Sequence, residues 1–389
     1  MRLNKRIEFE KMNHYDDLLK AKPIDNKIIK NSIHYVLSKI DANLPAFIKK
    51  YPSAASKNLI YRAEENETSE WTAGFWTGML WLAYEVSKDL KYKQAAQMQF
   101  PDYKKRLEER IVMDHHDIGF LYILSCVSAY KITGNAETRA LALKAAAILE
   151  ARYLEKSKII QVRDREGDAR GTFIIDCCMN IPLLYWASNE TNHKSGREKA
   201  YNHIQQVARN MVRSDASTYH CFQLDTNTGD PVRGWTGQGY SDESCWARGQ
   251  AWAIYGFALS YQYTGDEDFR DIAKKLSNYF LNRLPDDAIC NWDLVFTDNH
   301  IQRDTSAAAI AACGMLQLAD LLAPSDLDRI VYKRAAERII KALCENYTTR
   351  DVSESNGILM HGVYCKNGYG DDECCIWGDY FFFEGLIRL

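Results

Sequence analysis

Six times along the chain, a run of small, aliphatic and aromatic residues with a polar or aromatic start is followed, after a short turn, by a more charged segment. In the first segment of each pair the apolar residues cover nearly every side, as in a helix that is buried all round. The second segment keeps its charges on one side, as an outer helix does. The first segments are WTAGFWTGMLWLAYE (71), HDIGFLYILSCVSAY (116), IDCCMNIPLLYWAS (175), CWARGQAWAIYGFALSY (245), DTSAAAIAACGMLQLA (304) and IWGDYFFFEGLIRL (376). The pattern predicts six helical hairpins.

Six such hairpins can close into a double ring of helices, so we expect an all-α fold, an (α/α)6 barrel. An open helical solenoid is the competing architecture. The irregular repeat spacing and the aromatic inner helices favour a ring that is closed around a pocket. Because the chain has no Gly/Ser-rich linker, we expect residues 1–389 to form a single catalytic barrel domain. Residues 1–60 would be an N-terminal helical extension that closes the barrel.

Composition excludes several classes of partner. The net charge of −3 and the lack of a Lys/Arg run argue against nucleic acid. No segment approaches the ~20 apolar residues of a membrane span, and the first residues lack the apolar core of a secretory signal. The 11 cysteines are odd in number and show no CxxC spacing, which favours reduced thiols. We expect a cytoplasmic protein, a monomer or weak homodimer, with no nucleic-acid or membrane partner.

If the ring closes, the polar residues at the starts of the inner helices gather at one mouth; they are Asp117, Asp176, Arg248, Asp304 and Asp379. Asp176 stands within the apolar run FIIDCCMNIPLLYW, where a charge is costly unless it is paired or tuned for chemistry. Asp117 and Asp176 open neighbouring hairpins, and two carboxylates in different environments are the equipment of glycoside hydrolysis. The alternative is that each carboxylate caps its helix. A cap is the role we expect for Asp304, and Asp379 is left open.

The stretch RGWTGQGYSDESCWARGQAW (233–252) is rich in glycine and small polar residues and predicts a loop near the mouth. Trp235, Trp246 and Trp252 offer ring faces for a sugar. Gln238 and Arg248 suit its polar groups, and a guanidinium can hold a carboxylate through two parallel hydrogen bonds. Core packing is the alternative for each tryptophan, more so for Trp246 than for Trp252.

The histidines near these motifs raise the question of a metal. His115 and His116 precede Asp117, but no HxxxH or CxxC spacing accompanies them, so we predict no metal site. His220, in STYHCFQLD, lies on a strand-like edge before the loop. The chain has no GxGxxG or GxxxxGK[ST] loop for a phosphate.

Seven segments in register resemble the unsaturated glucuronyl hydrolases, glycoside hydrolase family 88. They are WTAGFWTG, HHDIGFLY, IIDCCMNIPLLYWA, GQGYSD, WARGQAWAIYGF, DTSAAAI and IWGDYFFFEGLIR, and the similarity runs from about residue 60 to the C-terminus. The resemblance implies an (α/α)6 barrel. It also implies a glycosidase that removes a 4,5-unsaturated uronic acid from the non-reducing end of lyase-generated glycosaminoglycan oligosaccharides.

The resemblance also implies roles for single residues. Asp176 would be the acid/base, and Asp117 its essential partner. Positions implied to bind the substrate are Trp71, His116, His220, Gly234, Thr236, Gln238, Arg248, Trp252 and Cys365. The implied chemistry is protonation at C4 and hydration at C5 of a vinyl ether, which requires no metal or organic cofactor. The apolar surroundings of Asp176 suit this role, because burial raises a carboxyl pKa.

One segment departs from the family. Some streptococcal-type relatives carry a Ser/Ser/Lys cluster after HGVY that grips a sulfate on the neighbouring sugar. Here the segment reads HGVYCKNGYGDDE, so Cys365 replaces a serine and Lys366 is followed by Asp371, Asp372 and Glu373. The departure puts a preference for sulfated products in doubt.

Other functions remain open. An unsaturated rhamnogalacturonyl hydrolase would share the barrel and the chemistry but act on a pectin-derived substrate. A sugar 2-epimerase would need a histidine pair across the pocket, for which the candidates are His116, His220 and His361. A non-catalytic helical-repeat binding protein would have a polar concave face instead of buried Trp, Tyr and Asp.

Overall fold

The structure, a computed structural model, describes residues 7–163 and 170–389. In chain order its helices are α1 (Tyr15–Lys20), α2 (Asn26–Phe47), α3 (Ala73–Ser87), α4 (Leu90–Met98), α5 (Phe100–Glu109), α6 (Ile118–Tyr122), α7 (Ser128–Thr133), α8 (Ala136–Glu150), α9 (Pro182–Thr191), α10 (Ser195–Gln206), α11 (Ala247–Thr264), α12 (Glu267–Leu281), α13 (Thr305–Leu321), α14 (Leu327–Asn346) and α15 (Ile376–Arg388). Segments Ile123–Val127 and Val207–Met211 are π-helical, and Ile175–Met179 and Thr349–Asp351 are 3-10 helical.

The strands are short and form small antiparallel sheets. They are β1 (Tyr51–Pro52), β2 (Ala63–Glu64), β3 (Tyr153–Leu154), β4 (Ile159–Ile160), β5 (Thr172–Ile174), β6 (Cys221–Leu224), β7 (Pro231–Trp235), β8 (Gly362–Val363) and β9 (Asp371–Glu373). β1 pairs with β2, β3 with β4, and β8 with β9, while β5, β6 and β7 form a three-stranded sheet in that order.

The inner helices form a closed ring. Following the chain, α3 packs on α6 and its π-helical continuation, α6 on α9, α9 and the turn before it on α11, α11 on α13, α13 on α15, and α15 again on α3. The outer helices α4, α8, α10, α12 and α14 each pack on the inner helix that precedes them. The predicted (α/α)6 barrel is confirmed, and the open solenoid is wrong because the last inner helix contacts the first.

The difference between inner and outer helices follows from their residues. In α13 every position from Thr305 to Ala319 is buried. In α12 the buried side chains recur at the three- and four-residue spacing of one helix face. In two of the hairpins, the turn TGN or TGD joins the inner helix to the outer helix. Gly134 and Gly265 end the inner helices with φ of +71° in both cases, and the Asn135 and Asp266 side chains then accept main-chain N–H groups that begin the outer helices.

One inner helix differs from the expectation of a regular hairpin. The segment that begins at Ile175 is first a 3-10 turn, and the α-helix begins only at Pro182. Proline fits the first turn of a helix, where its missing N–H would have no partner. Asp176 therefore lies on a tight turn ahead of α9 and not within the helix.

The N-terminal helices lie outside the inner ring. α2 packs against α3, α14 and α15, with Val36 and Ile40 fully buried on that side, and α1 packs on α14. We propose from these contacts that α2 completes the outer ring of a single domain; residues 1–6 of the predicted extension lie outside the described residues. Over the described part of the chain, every helix is too short or too polar to cross a membrane.

Candidate active site

A cavity of about 400 Å³ opens at the end of the barrel where the inner helices begin. It is lined by Glu70, Trp71, His115, Asp117, Val162, Arg163, Thr172, Ile174, Asp176, His220, Cys221, Trp235, Gly237, Gln238, Arg248 and Tyr364. One wall is the three-stranded sheet, in which Ile174, Cys221 and Trp235 are paired in a row across β5, β6 and β7. The strand-like edge that the sequence indicated at His220 lies directly before β6, which begins at Cys221.

Asp176 is held at the cavity by two close helix contacts. Its 3-10 turn is in contact with α6 at Gly119 and with α11 at Gly256. A Cβ added at Gly119 would lie 2.3 Å from Asn180 Cα, and a Cβ added at Gly256 would lie 2.3 Å from Cys178 Cβ. Only glycine permits this approach, so the turn is wedged between two inner helices with the Asp176 carboxyl at the cavity.

The Asp176 carboxyl has few compensating partners. Its Oδ2 is buried without a hydrogen-bond partner among the described residues, and the same is true of Trp252 Nε1. Burial, followed by the charge of Asp117, raises the pKa of Asp176 to about 7, while Arg248 and the nearby Trp252 N–H act in the opposite direction. A carboxyl with a pKa near 7 exchanges a proton readily at neutral pH.

Asp117 is held differently. Asn180 Nδ2 donates a hydrogen bond to its Oδ1 at 3.1 Å, and its own main-chain N–H donates to His115 Nδ1 at 3.0 Å. Burial raises the pKa of Asp117, while His115, the Asn180 hydrogen bond, Arg163 and Arg152 lower it. Asp117 thus has a side-chain hydrogen-bond donor, Asn180, that stabilises its ionised form, whereas Asp176 Oδ2 has no hydrogen-bond partner among the described residues.

Neither Asp117 nor Asp176 caps its helix: Asp117 lies at the N-cap position of α6 without a side-chain capping hydrogen bond, and Asp176 lies inside the 3-10 turn, whose N-cap residue is Ile174. The cap alternative is therefore wrong for both. For Asp304 it is confirmed: its Oδ1 accepts the N–H groups of Ser306 and Ala307 at 3.1 and 3.3 Å.

Arg248 differs from the expectation of a free carboxylate-binding fork. Its Nη1 donates to Asp304 and to the Val363 carbonyl oxygen, and its Nη2 donates to Gln238 Oε1 at 2.8 Å and to the Tyr364 carbonyl oxygen at 3.0 Å. With these donors occupied, Arg248 is a fixed part of the wall. Its bond to Gln238 Oε1 leaves the Gln238 Nε2 group to donate to a ligand.

His220 is fixed as a neutral donor. Its Nδ1 accepts the N–H groups of Gly237 and Gln238 at 3.0 and 3.2 Å, so Nε2 carries the proton and can donate to a ligand. Burial, and then the charge of Arg248, lowers the pKa of His220 to about 3. The ring also lies 4.3 Å from Trp246, which is buried, as the core-packing alternative proposed.

His115 and His116 do not form a metal site. His115 donates from Nε2 to the Val112 carbonyl oxygen at 2.7 Å, and burial lowers its pKa to about 4. No group of three or more His, Cys, Asp or Glu side chains in the described ranges is placed to hold a metal ion.

Several residues expected to bind the substrate lie outside the cavity wall. The His116 ring is fully buried beside Asp117, with Nε2 at 3.3 Å from Asp117 Oδ1, and its role in substrate binding stays a prediction. Trp252 is also fully buried, against Phe120 and Phe381. It faces Asp176 and not the open space.

Three loop positions and one aspartate also lie outside the cavity lining, and the role of the loop positions in substrate binding stays a prediction. Gly234 packs against the Tyr219 ring. Thr236 Oγ1 accepts the Gly239 N–H and so shapes the loop. Cys365 is half-buried in the segment before β9 and outside the cavity lining. Asp379, which the sequence left open, is buried and accepts hydrogen bonds from Tyr61, Ile358 and Leu359.

The structure adds residues that the sequence analysis did not select. Glu70 and Tyr364 are next to Trp71 and Cys365 in the chain, so their neighbours in the motifs were the available signal. Arg163 had no comparable signal, because it lies on the link between β4 and β5. A second cavity of about 410 Å³ shares Glu70 and Tyr364 with the first, so the groove continues past them.

Comparison with known proteins bears on this geometry. The family model described as Glycosyl Hydrolase Family 88 matches residues 39–384. The Unsaturated chondroitin disaccharide hydrolase of Streptococcus agalactiae is 42% identical over 388 residues, which are 99% of this chain and 97% of that protein.

Solved structures agree with the sequence match. The crystal structure of the unsaturated glucuronyl hydrolase from Streptococcus agalactiae has a TM-score of 0.96 at 41% identity and covers 100% of this chain and 98% of that one. A mutant of that enzyme with an aspartate replaced by asparagine, solved in complex with dGlcA-GalNAc6S, has a TM-score of 0.88 at 40% identity, with coverage of 100% and 98%.

Proposed function

The chain belongs to Glycosyl Hydrolase Family 88 and is a glycosidase, and on that premise we propose that it removes a 4,5-unsaturated uronic acid from the non-reducing end of lyase-generated glycosaminoglycan oligosaccharides. The observation that carries the proposal is the Asp176 carboxyl, with a pKa of about 7, at a cavity that also contains Asp117. One group can then both give and take a proton at neutral pH. The complex of the streptococcal enzyme with dGlcA-GalNAc6S supports a substrate of this class.

The reaction begins with proton transfer from Asp176 to C4 of the unsaturated sugar. The C4–C5 double bond is a vinyl ether, so protonation at C4 leaves a cation shared by C5 and the ring oxygen. Water adds at C5, and the ionised Asp176 takes a proton from it. The resulting hemiketal opens to a C5 ketone, and the hemiacetal at C1 then collapses and releases the aglycone.

Asp117 would remain ionised through these steps. Its negative charge stabilises the cation, and it accepts hydrogen bonds from sugar hydroxyls. The Asn180 hydrogen bond favours this ionised form.

The uronate carboxylate is an anion and requires donors. Gln238 Nε2 and His220 Nε2 are the candidates, since their other polar atoms are occupied by Arg248 and by main-chain N–H groups. Arg248 adds a positive charge behind Gln238. Trp71, which stacks on Trp377 with ring centroids 5.2 Å apart, supplies an apolar face for the sugar ring.

Loss of the conjugated-uronate absorbance tests the function directly. We expect the absorbance of an unsaturated chondroitin disaccharide to fall when the enzyme is added. An unsaturated galacturonyl-rhamnose should react much more slowly. Faster turnover of galacturonyl-rhamnose would instead indicate the pectin-derived substrate.

Isotope labelling tests the hydration step. In water enriched in heavy oxygen, the label should appear in the open-chain keto product, because water adds at C5. Label on the anomeric hydroxyl of the released sugar would mean ordinary glycoside hydrolysis, with Asp117 as a candidate nucleophile.

We propose further that the protein works in the cytoplasm, as a monomer or weak homodimer. The cysteines, ten of them buried, form no disulfide among the described residues, which suits a reducing compartment. Fractionation of the source cells and light scattering over a concentration series test these two statements.

A further inference from the structure

Asn180 contacts both carboxylate-bearing segments without lining the cavity. It follows the 3-10 turn Ile175–Met179 and is fully buried. Its Nδ2 donates to Asp117 Oδ1 at 3.1 Å and lies 3.3 Å from the main-chain oxygen of Asp176. A single amide group therefore connects the two acids.

The orientation of this amide is determined by its other end. Asn180 Oδ1 accepts the main-chain N–H of Phe120 at 2.8 Å, in the first turn of α6. A flipped amide would place its oxygen against the Asp117 carboxylate and its NH₂ group against that N–H. Nδ2 must therefore be the atom that faces Asp117.

The contact around Asn180 leaves no room for adjustment. A Cβ at Gly119 would lie 2.3 Å from Asn180 Cα and 2.6 Å from its Oδ1. The start of α6 and the turn that carries Asp176 therefore touch at this point.

We propose that Asn180 is a positioning residue, which sets the separation of Asp117 and Asp176 and holds Asp117 ionised while Asp176 exchanges its proton. The proposal rests on the proposed function for the identity of the reaction. Its physical basis is asymmetric donation: the amide gives an N–H to the carboxylate of Asp117 but only to the main chain of Asp176. A donated hydrogen bond stabilises the charged form of a carboxyl.

Other ionisable groups also face the two acids. Around Asp117 and Asp176 these groups are His115, His116, Arg152, Arg163, Arg248 and Cys177. Burial lowers the pKa of His115 and His116 to about 4 and 3, so neither is charged at neutral pH. Without Asn180, the ionised form of Asp117 would lose a hydrogen bond and keep the effects of His115, Arg163 and Arg152.

The test is the pH profile of Asn180→Ala. Loss of the donor raises the pKa of Asp117, so the acid limb of kcat/KM moves to higher pH. The alkaline limb reports the pKa of Asp176 in the active form, in which Asp117 is ionised, so this limb should stay close to its wild-type position. We expect the profile to narrow from its acid side and kcat to fall ~10- to 100-fold. KM should change less, because Asn180 does not touch the cavity.

Two further variants separate donation from shape. Asn180→Asp keeps the size of the side chain but replaces the NH₂ donor with a second carboxyl beside Asp117. Repulsion between the two acids raises the pKa of Asp117, so the acid limb should move to higher pH at least as far as in the alanine variant. Asn278→Ala is the matched control. Asn278 lies on the outer helix α12 and is also buried; its Oδ1 accepts a hydrogen bond from the Tyr332 hydroxyl, and its Nδ2 donates to the Glu10 carbonyl oxygen. It should lower the melting temperature and leave both limbs in place.

Wild-type limbs in the Asn180→Asp variant would overturn the proposal, and so would equal narrowing in Asn278→Ala. If the alanine variant does not fold, the isosteric aspartate variant still decides, with near-ultraviolet circular dichroism to check its fold. Infrared titration of the carboxyl groups in the substrate-free enzyme gives the same answer without turnover. It therefore distinguishes failure of this proposal from failure of the proposed function.

Discussion

Two buried carboxyls at the starts of inner helices have the same raised pKa but very different surroundings. Burial raises the pKa of both Asp176 and Asp379 to about 7. Asp379 accepts hydrogen bonds from the Tyr61 hydroxyl at 2.9 Å and from the Ile358 and Leu359 N–H groups at 3.1 and 2.8 Å. Asp176 Oδ2 has no partner in the described part of the chain and lies at a cavity.

The difference shows that a raised pKa alone does not identify a catalytic acid. At Asp379 the hydrogen bonds connect α15 to the segment before β8 and to Tyr61, and the carboxyl is not among the groups that line the cavity. At Asp176 the same burial is combined with an unused acceptor and room for a ligand. The Asp379 carboxyl therefore connects segments of the fold, whereas the Asp176 carboxyl is available for proton transfer to a ligand.

The largest expected effect comes from making the same change in both regions. Asp176→Asn keeps the volume but removes the transferable proton, so we expect kcat to fall ~10²- to 10⁴-fold with little loss of stability. Asp379→Asn should leave kcat per folded molecule within about twofold and lower the melting temperature at about pH 4, where the wild-type carboxyl is protonated in the folded protein, because one N–H loses its acceptor. Turnover and thermal unfolding of both variants check this. An Asp176→Asn enzyme with more than half of the wild-type rate would contradict the assignment.

The sequence predicted the ring of helices but did not distinguish Asp176 from Asp379. Helical periodicity and buried aromatic runs predicted the ring, and the apolar run around Asp176 pointed to a tuned acid. Asp379 lies in an equally apolar run, IWGDYFFFEGLIR, so the apolar surroundings in the sequence are the same for both aspartates. Their difference depends on Tyr61, Ile358 and Leu359, which are distant in the chain and approach Asp379 only in the folded barrel.

Other features of the site also depend on tertiary contacts. The fork expected at Arg248 is occupied by carbonyl groups of Val363 and Tyr364, more than a hundred residues away. The row of Ile174, Cys221 and Trp235 requires the register of a sheet whose strands are too short for periodicity to predict. Motifs located the residues, but hydrogen bonds between distant segments decided which atoms remain available.

The next effect is the pH dependence of stability. The pKa of Asp379 is raised to about 7 in the folded protein from a usual value of 3.8, so the unfolded chain ionises first. The free energy of unfolding should therefore fall as pH rises from about 4 to about 7, by about 2–4 kcal/mol from this residue. Asp379→Asn should remove this part of the slope in urea unfolding measured at several pH values. Asp16→Asn, on the exposed side of α1, is the control that should keep it; an unchanged slope in Asp379→Asn would show that its carboxyl is not raised.

A smaller effect concerns the alkaline limb of activity. The protonated form of Asp176 is required, so kcat/KM should decline above about pH 7. Asp117→Asn removes the neighbouring charge that raises the pKa of Asp176, so the alkaline limb of the residual activity should move to lower pH, by ~1 unit. Single-turnover rates across pH measure this. A limb that stays in place, or moves to higher pH, would mean that another group sets it.

The smallest expected effect concerns sulfate on the second sugar, and it extends the comparison to a cation. Lys366 Nζ donates to both carboxylate oxygens of Asp371 at 3.0 Å, so it is satisfied in the way that Asp379 is. A satisfied lysine is a poor partner for a ligand, and Asp372 and Glu373 add repulsion of about 1 kcal/mol or less per pair in solvent. We therefore expect kcat/KM for a sulfated unsaturated chondroitin disaccharide to be about two- to fivefold below the unsulfated value, mainly through KM.

Variants of Lys366 and Asp371 test whether Lys366 stays bound to Asp371 when the substrate binds. Asp371→Asn releases Lys366 and should reduce or reverse the disadvantage of the sulfated substrate. Lys366→Ala should leave the wild-type ratio nearly unchanged, because a lysine that is occupied by Asp371 contributes nothing to sulfate binding. If wild type instead prefers the sulfated disaccharide and only Lys366→Ala loses that preference, Lys366 leaves Asp371 when substrate binds. In that case a lysine that is hydrogen-bonded at the rim of the cavity can still bind substrate. The rule that a group with all its hydrogen bonds made takes no part in the reaction, as at Asp379, would then apply only to buried groups.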